Sequence, residues 1–338
     1  MPPWPSTGCR PASTCCASTT PRARSRAASA CSKHLLHRFP KKDEPAGSSF
    51  FFVACAPTGL FCRPMSLVLF DGALLPAADL ALPLPNRGLQ FNDGFFETLV
   101  LRNGHLRYAA DHAARMRWAA TALHLHLPAA LSTPSGLEQT MRHLADANDL
   151  TAACRLRLQL WRGGGGLYAP VTAAAHWLVT AVPFEAGPTT PARAAFAGSI
   201  RTHFSPVSFC KGPYALHYVL AAQERAARGL DDLLLLDGQG HVAEAVAAAV
   251  FWLREGVLYT PALESGCVAG VRRAHLLRVA QQRSLPCQIG LFPAEAVLAA
   301  EVAFTANVAG IRPLASIGET PLATMHPLLE ALRRWEAV

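Results

Sequence analysis

Lysine is nearly missing from this sequence. Four occur in 338 residues, and three of them (Lys33, Lys41, Lys42) lie in the first 64. After Met65 there is one, Lys211, against 21 arginines. Long apolar runs are missing too. None reaches the roughly 18 residues that cross a bilayer, so the body reads as a soluble α/β protein with no membrane partner. Clustered cysteines are missing after residue 64, where Cys154, Cys210, Cys267 and Cys287 stand far apart. No CxxC pair or Cys/His metal spacing occurs, which excludes a structural zinc and fits reduced thiols in the cytoplasm. Excess charge is missing from the same stretch. The net charge is +8, but nine of 31 basic and only two of 23 acidic residues lie in the first 64, leaving 22 against 21. Without a basic face there is no reason to expect nucleic acid, and a small molecule is the expected ligand.

Residues 1–64 are rich in Ser, Arg, Pro, Ala and Cys and show no helical or strand period. An acid-poor, Arg/Ser-rich transit segment is one origin for such a stretch. An export signal over Ser49–Cys55 is another, though its apolar core is too short and Pro57 follows. The favoured origin is a misassigned start upstream of Met65, because regular patterning begins abruptly at Ser66. The expected organisation is therefore a disordered or misassigned extension (1–64), a smaller N-terminal α/β domain (65–186) and a larger C-terminal domain (187–338). Apolar residues make up 51% of the chain, ample for two cores.

Along the body, strands are expected at Ser66–Phe70, Phe95–Leu101, Arg155–Trp161 and His176–Phe184, with Asp71-Gly72 and Asn103-Gly104 as turns. A helix is expected over Asp111–Leu127, with Asp111 as N-cap and Pro128 as stop. Gly163–Gly166 break the third strand, and Glu185–Pro191 form a linker. Beyond it come a strand near Ala194–Ile200 and a helix over Tyr214–Arg228 closed by Gly229. Strands at Asp232–Asp237, His241–Ala245, Ala249–Arg254 and Val257–Tyr259 follow. A helix over Val271–Arg283, a strand over Glu301–Ala306 and a helix near His326–Glu336 complete the pattern.

A surface charge is served equally by arginine or lysine. A Schiff base is not, since it needs a primary amine that can lose its proton, which a guanidinium cannot do. Lys211 is thus the candidate for such chemistry, and its neighbours Phe209, Cys210, Gly212 and Pro213 offer a setting that lowers an amine's pKa. A leftover surface lysine is the alternative on this ground alone. A thiol enzyme built on Cys210 is disfavoured, because apolar surroundings raise a thiol's pKa.

The residues around Lys211 extend the pattern. Ala221, Gln223-Glu224, Gly229, Leu233–Asp237 and Glu244 follow it in a spacing that resembles the core signature of the class IV aminotransferases. Arg87–Thr98 (RGLQFNDGFFET) is similar to that family's RGxxxGDGxFET element. His112 and Arg115 resemble its HxxRL helix, and Gly270-Val271-Arg272-Arg273 its GITR element. The resemblance runs from about Val68 to Ile317. It implies the two-domain α/β fold of fold type IV enzymes (D-amino-acid aminotransferase-like), with pyridoxal 5'-phosphate (PLP) between the domains, and a homodimer. It implies Lys211 as the Schiff-base lysine and catalytic base, with Glu244 at the cofactor's ring nitrogen. The apolar neighbours Val242, Ala243, Ala245 and Val246 make an idle charge there costly. It implies Arg115, the backbone N–H groups of Val271 and Arg272, and Thr305 with Ala306 as phosphate contacts. Some residues depart from the family pattern. Asn92 replaces a glycine, Ala249 an asparagine, and Ala245–Ala248 a stretch rich in small hydroxylic residues.

The substrate loops resemble aminodeoxychorismate lyases most. Trp161–Tyr168 is similar to their RGxGGRGY stretch without its second arginine, and Thr305–Leu314 to their TNSxxGIxPV stretch. Arg162 and Arg312 become candidate carboxylate binders. Leu216 stands five residues after the lysine, where branched-chain transaminases carry tyrosine, and helical geometry is expected to turn Tyr214 and Tyr218 elsewhere. The expectation is 4-amino-4-deoxychorismate lyase, giving 4-aminobenzoate and pyruvate. A branched-chain or D-amino acid transaminase is the runner-up. A non-catalytic binding protein on the same fold is the alternative of another class.

Overall fold

A computed structural model describes residues 67–213 and 215–336. The expectations for the first 64 residues, for Met65 as a start and for Tyr214 fall outside that range. Two sheets organise the described chain. The first holds β1 (Leu67–Phe70), β2 (Ala73–Pro76), β3 (Gly94–Arg102), β4 (His105–Leu106), β5 (Ala153–Arg162) and β6 (Ala175–Pro183). It is antiparallel throughout, in the order β2-β1-β6-β5-β3-β4. Both expected turns form. Asp71-Gly72 and Asn103-Gly104 have positive φ at both residues, as two-residue type I′ hairpins demand. In β5, Cys154, Leu156, Leu158 and Leu160 are buried while Arg155 and Arg157 point out, which is the expected alternation. Gly94 is obligatory at the β3–β5 pairing, because a Cβ there would lie 2.1 Å from the Leu160 carbonyl oxygen.

Helices α1 (Arg87–Phe91), α2 (Ala109–Ala122), α3 (Ala129–Ser132) and α4 (Pro134–Ala147) accompany this sheet. Met116, Leu131, Leu137, Met141 and Leu144 are fully buried in its core, each worth about 1.5–3 kcal/mol of burial. Helix α4 was not among the sequence expectations, although its start is marked. Thr133 accepts a hydrogen bond from the Gly136 N–H at 3.1 Å, and Pro134 takes the first helical position. Helix α2 differs from expectation at both ends. Its cap is Tyr108, in left-handed backbone with no side-chain cap bond. Asp111 lies inside the first turn and pairs with both terminal nitrogens of Arg278 at 2.5 and 2.7 Å. The helix stops at Ala122, before Pro128, and His124 turns left-handed.

Residues 184–191, without helix or strand, lead to the second sheet. It holds β7 (Ala192–Thr202), β8 (Asp232–Asp237), β9 (Val242–Ala245), β10 (Ala249–Arg254), β11 (Val257–Pro261), β12 (Cys287–Gly290), β13 (Val302–Asn307), β14 (Gly310–Ile317) and β15 (Thr320–Pro321). The order is β12-β11-β10-β13-β14-β7-β8-β9, with β15 on β14. Pairs β7–β8, β7–β14 and β11–β12 are parallel. Helices α5 (Ala215–Ala227), α6 (Val271–Gln282), α7 (Ala294–Leu298) and α8 (Pro327–Glu336) belong to this half. Helix α5 makes the crossover between the parallel strands β7 and β8, and its buried Ala221 packs with Leu233 and Leu235. Helices α6 and α8 bury Leu276, Leu329 and Leu332 with Phe251 and Phe304. The architecture is the expected α/β one. Cys154, Cys210, Cys267 and Cys287 are free thiols. Among the described residues no helix is long and apolar enough to cross a membrane, and no group of metal-ligating side chains forms.

Candidate active site

The loop that leaves β7 carries Lys211, and it is fastened to the first sheet. Phe209 and Cys210 are buried in that sheet's core, and Phe209 stacks on Trp118 with ring centroids 3.5 Å apart. The Phe96 N–H donates to the Lys211 carbonyl at 2.9 Å. Gly212 has φ +138°, and a Cβ there would sit 2.9 Å from Phe95 Cα, so glycine is required. Asn92, the left-handed C-cap of α1, donates its side-chain amide to the Gly212 carbonyl. A residue that departs from the family pattern thus tethers the lysine loop.

A cavity of about 480 Å³ opens around the Lys211 side chain. Burial, then the charge of Arg115, holds the amine down at about 8, while Glu97 and Glu244 pull the other way. Glu244 enters the same cavity from β9 and is 5% exposed. It accepts hydrogen bonds from the Tyr218 hydroxyl and, at 3.2 Å to each oxygen, from the Val268 N–H. Burial raises its carboxyl to about 7 against those bonds and the nearby Lys211. Cys210 and Cys267 are pushed up to about 11, chiefly by burial, so neither is a thiolate nucleophile.

The cavity also meets a helix N-terminus. Helix α6 starts at Val271 after Gly270, which gives no side-chain cap. Its first intrahelical bond runs from the Ala274 N–H to the Gly270 carbonyl, so the N–H groups of Val271, Arg272 and Arg273 precede the ladder. Val271 and Arg272 line the cavity as expected. The Arg272 side chain is turned aside to Glu336, with Nε 3.0 Å from Oε2, and to the Asn307 carbonyl at 2.8 Å. Its contribution to the cavity is therefore backbone. Arg115 also lines it. Its Nε donates to Glu97 Oε1 at 2.8 Å, one Nη to Glu97 Oε2, and the other to the Ala269 carbonyl at 2.8 Å. Three of the five guanidinium N–H groups are used, and two remain for a ligand. Glu97 is 1% exposed and also meets His112 Nδ1 at 2.7 Å. Burial opposes its charge, but Arg115 and His112 outweigh burial and bring it to about 2.

The structure brings Lys211, Glu244, Arg115, Val271, Arg272 and Ala306 onto one cavity and leaves three expected residues off it. Thr305 is buried in β13 between Val250 and Arg312 of the flanking strands, pointing away from the wall that Ala306 forms. Arg162 is buried, and four of its five guanidinium N–H groups are spent within the fold. Its Nε meets Asp93 at 2.8 Å, and its other nitrogens donate to the carbonyls of Leu123, His124 and Thr172. With Arg87, also on Asp93 at 2.7 Å, it braces the glycine loop instead of reaching a ligand. Arg312 donates to the Thr190 carbonyl at 2.8 Å and lies 3.6 Å from Asp231. Neither arginine lines the Lys211 cavity: Arg162 spends most of its donors within the fold, and Arg312 spends its Nε on Thr190 and faces Asp231.

Two cavity residues were missed. Arg157, exposed on β5, packs 3.8 Å over the Phe96 ring and has one side-chain partner, Gln159 at 3.2 Å. The strand alternation placed it on the outer face and was its only signal. Tyr218 was expected to turn away. Instead Ala215, Tyr218, Val219 and Ala222 form an i, i+3, i+4, i+7 stripe of α5 on the cavity wall. Leu216 is 71% exposed and off that wall.

A model of the amino-transferase class IV family matches residues 94–317. The aminodeoxychorismate lyase of Vibrio harveyi is 26% identical over 75% of this chain and 93% of its own length. A probable branched-chain-amino-acid aminotransferase of Synechocystis sp. is 33% identical over a shorter stretch, 34% of this chain and 38% of that relative. Among solved structures, the 4-amino-4-deoxychorismate lyase of Pseudomonas aeruginosa superposes with a TM-score of 0.70. It is 29% identical, over 79% of this chain and 97% of that one.

The Glu97 cluster makes a pH-dependent prediction. Its carboxyl falls from 4.5 to about 2 on folding, so its ionisation stabilises the fold above about pH 5 and that contribution drains away as pH falls toward 2. Glu97→Gln leaves Arg115 buried without its counter-charge, at an expected cost of about 3 kcal/mol at pH 7. Urea denaturation of both proteins from pH 7 to pH 3 reads the difference. A gap that stays constant over that range contradicts the role given to the carboxylate.

Proposed function

Since the chain belongs to the amino-transferase class IV family, we propose that it is a PLP-dependent enzyme and, specifically, a 4-amino-4-deoxychorismate lyase. One observation carries the first part: Lys211, Glu244 and the open N-terminus of α6 converge on a single cavity. The donor set suits the cofactor. Lys211 offers an amine that is half free base near pH 8. Arg115 and the N–H groups of Val271 and Arg272 would hold the phosphate, and Glu244 would face the ring nitrogen. When bound, the cofactor supplies an electron sink for the carbon beside the substrate nitrogen.

The residues divide the remaining work. The Lys211 amine takes the proton from C4, the ring carbon that bears the amino group, and can return one to the departing three-carbon fragment. Glu244 holds a proton at the ring nitrogen. Arg157, the one cavity-lining guanidinium without a carboxylate partner, binds a substrate carboxylate. Apolar walls from Val219 and Val246–Ala249 exclude water. The reaction needs no acceptor, since aminodeoxychorismate has the atoms of 4-aminobenzoate plus pyruvate. The two lyases named above are matched over nearly their whole length and support this reaction, while a D-alanine aminotransferase of Bacillus licheniformis, 27% identical over 75% of this chain and 89% of its own, supports transamination as the second reading. The same proposal includes a cytoplasmic homodimer. Four free thiols suit a reducing compartment. Beside Arg157 a second groove of about 330 Å³, with exposed Leu84 and Leu89 on it, offers apolar area for a partner copy.

Three outcomes are expected. Reconstituted protein absorbs in the visible and releases 4-aminobenzoate and pyruvate in equal amounts, and Lys211→Ala does neither. Accumulation of pyridoxamine phosphate from an amino acid alone, with no aminobenzoate formed, sinks the lyase reading. Arg157→Ala raises KM about tenfold or more, the value of a charge-assisted carboxylate contact, and an unchanged KM removes Arg157 from the site. Sedimentation at micromolar concentration gives twice the chain mass, where a single-chain mass denies the dimer.

A further inference from the structure

The carboxylate of Glu244 is held unevenly. Its Oε1 takes donors from Tyr218 and Val268, while its Oε2 takes the Val268 N–H alone. A carboxylate can accept about four hydrogen bonds, so Oε2 is the freer oxygen. Tyr218 reaches it from α5. The ring has little room to leave. It meets the His217 ring at a tilt of 45°, centroids 3.8 Å apart, and walls off a small cavity of about 30 Å³ lined by His203, Ser208 and Cys210.

We propose that Tyr218 is a positioning residue for Glu244: its hydroxyl occupies Oε1 and leaves Oε2 as the oxygen presented to the cofactor's ring nitrogen. This rests on the PLP reading of the same site. The phenol keeps its proton, because burial and the adjacent carboxylate drive its ionisation far above the ordinary range. Tyr218 therefore only donates, and Glu244 stays the acceptor. The other groups facing the pair are Lys211, Arg273 of α6, Cys210 and Cys267. Both cations favour the carboxylate, and both thiols are neutral at pH 7. Removing the hydroxyl leaves a buried Oε1 with one weak donor, which makes Glu244 easier to protonate and freer to rotate.

Tyr218→Phe removes one oxygen and keeps the ring. In the full chain without cofactor, an infrared titration isolates the Glu244 carboxylic band as the signal lost in Glu244→Gln. Its midpoint, near 7 in the wild type, is expected to rise by about one pH unit in Tyr218→Phe, the value of a hydrogen bond to a charged group. In PLP-loaded protein kcat falls about tenfold with KM within a factor of two. A packing role alone lowers the thermal midpoint and leaves the carboxyl titration in place, and that result overturns the proposal. If Tyr218→Phe does not fold, 3-fluorotyrosine at position 218 is a stronger donor and moves the midpoint down, where no movement overturns it equally. Failure of the wild type to bind PLP defeats the cofactor reading while the infrared result still reports on the Tyr218–Glu244 bond.

Discussion

The attachment of the Lys211 loop to β3 is the constraint on which the site depends. The loop starts from a strand of the second sheet, yet Phe209 and Cys210 are buried in the core of the first. The Phe96 N–H fixes the lysine's own carbonyl, and the absence of a side chain at Gly212 lets the backbones meet. The lysine is thereby placed where both sheets supply walls. Phe96, Thr98 and Arg157 come from one side, and Glu244, Val246–Ala249 and Ala306 from the other. Without this crossing the two halves would share no cavity, and the amine would face solvent with an ordinary pKa.

Around that amine, charges are arranged so that each cation has a task or a counter-charge. Glu97 engages Arg115 along one edge and the Ala269 carbonyl takes a third N–H, which leaves two N–H groups of the guanidinium free. Glu336, at the end of α8, draws the Arg272 side chain away, so α6 presents backbone donors alone. Burial then has opposite effects on Lys211 and Glu244. It lowers the amine to about 8 and raises the acid to about 7. The two values approach each other, so near neutral pH each group exchanges its proton at small cost. That is the state a proton-transfer site requires.

Much of this was legible in the sequence. A single lysine among arginines marks the amine, and the motif order marks Glu244, Arg115 and the α6 start, because local spacing records which residues one element carries. The turns at Asp71-Gly72 and Asn103-Gly104 were legible because their backbone conformations admit few residues. What was not legible depends on long-range partners. Arg162 looks like a free guanidinium until Asp93 and three carbonyls are seen around it. Tyr218 looks misdirected until the start of α5 fixes which stripe faces inward, and a shift of one residue in helix phase turns a side chain by about 100°. Asp111 resembles an N-cap because it lies within the first turn, only three residues past the true cap Tyr108.

The family departures after Glu244 acquire a physical sense from the same geometry. Val246–Ala249 line the cavity, so a stretch that elsewhere supplies hydroxyls here supplies only apolar wall. Uncommitted N–H groups on the cavity are found instead at the start of α6 and on Arg115. Asn92 follows the same logic at the other end, where a side-chain amide in place of glycine adds a tether on the loop that carries the lysine. Polar contacts have moved from the wall of the cavity to its frame, and the lysine, the carboxylate and the helix terminus keep their places because that frame holds them.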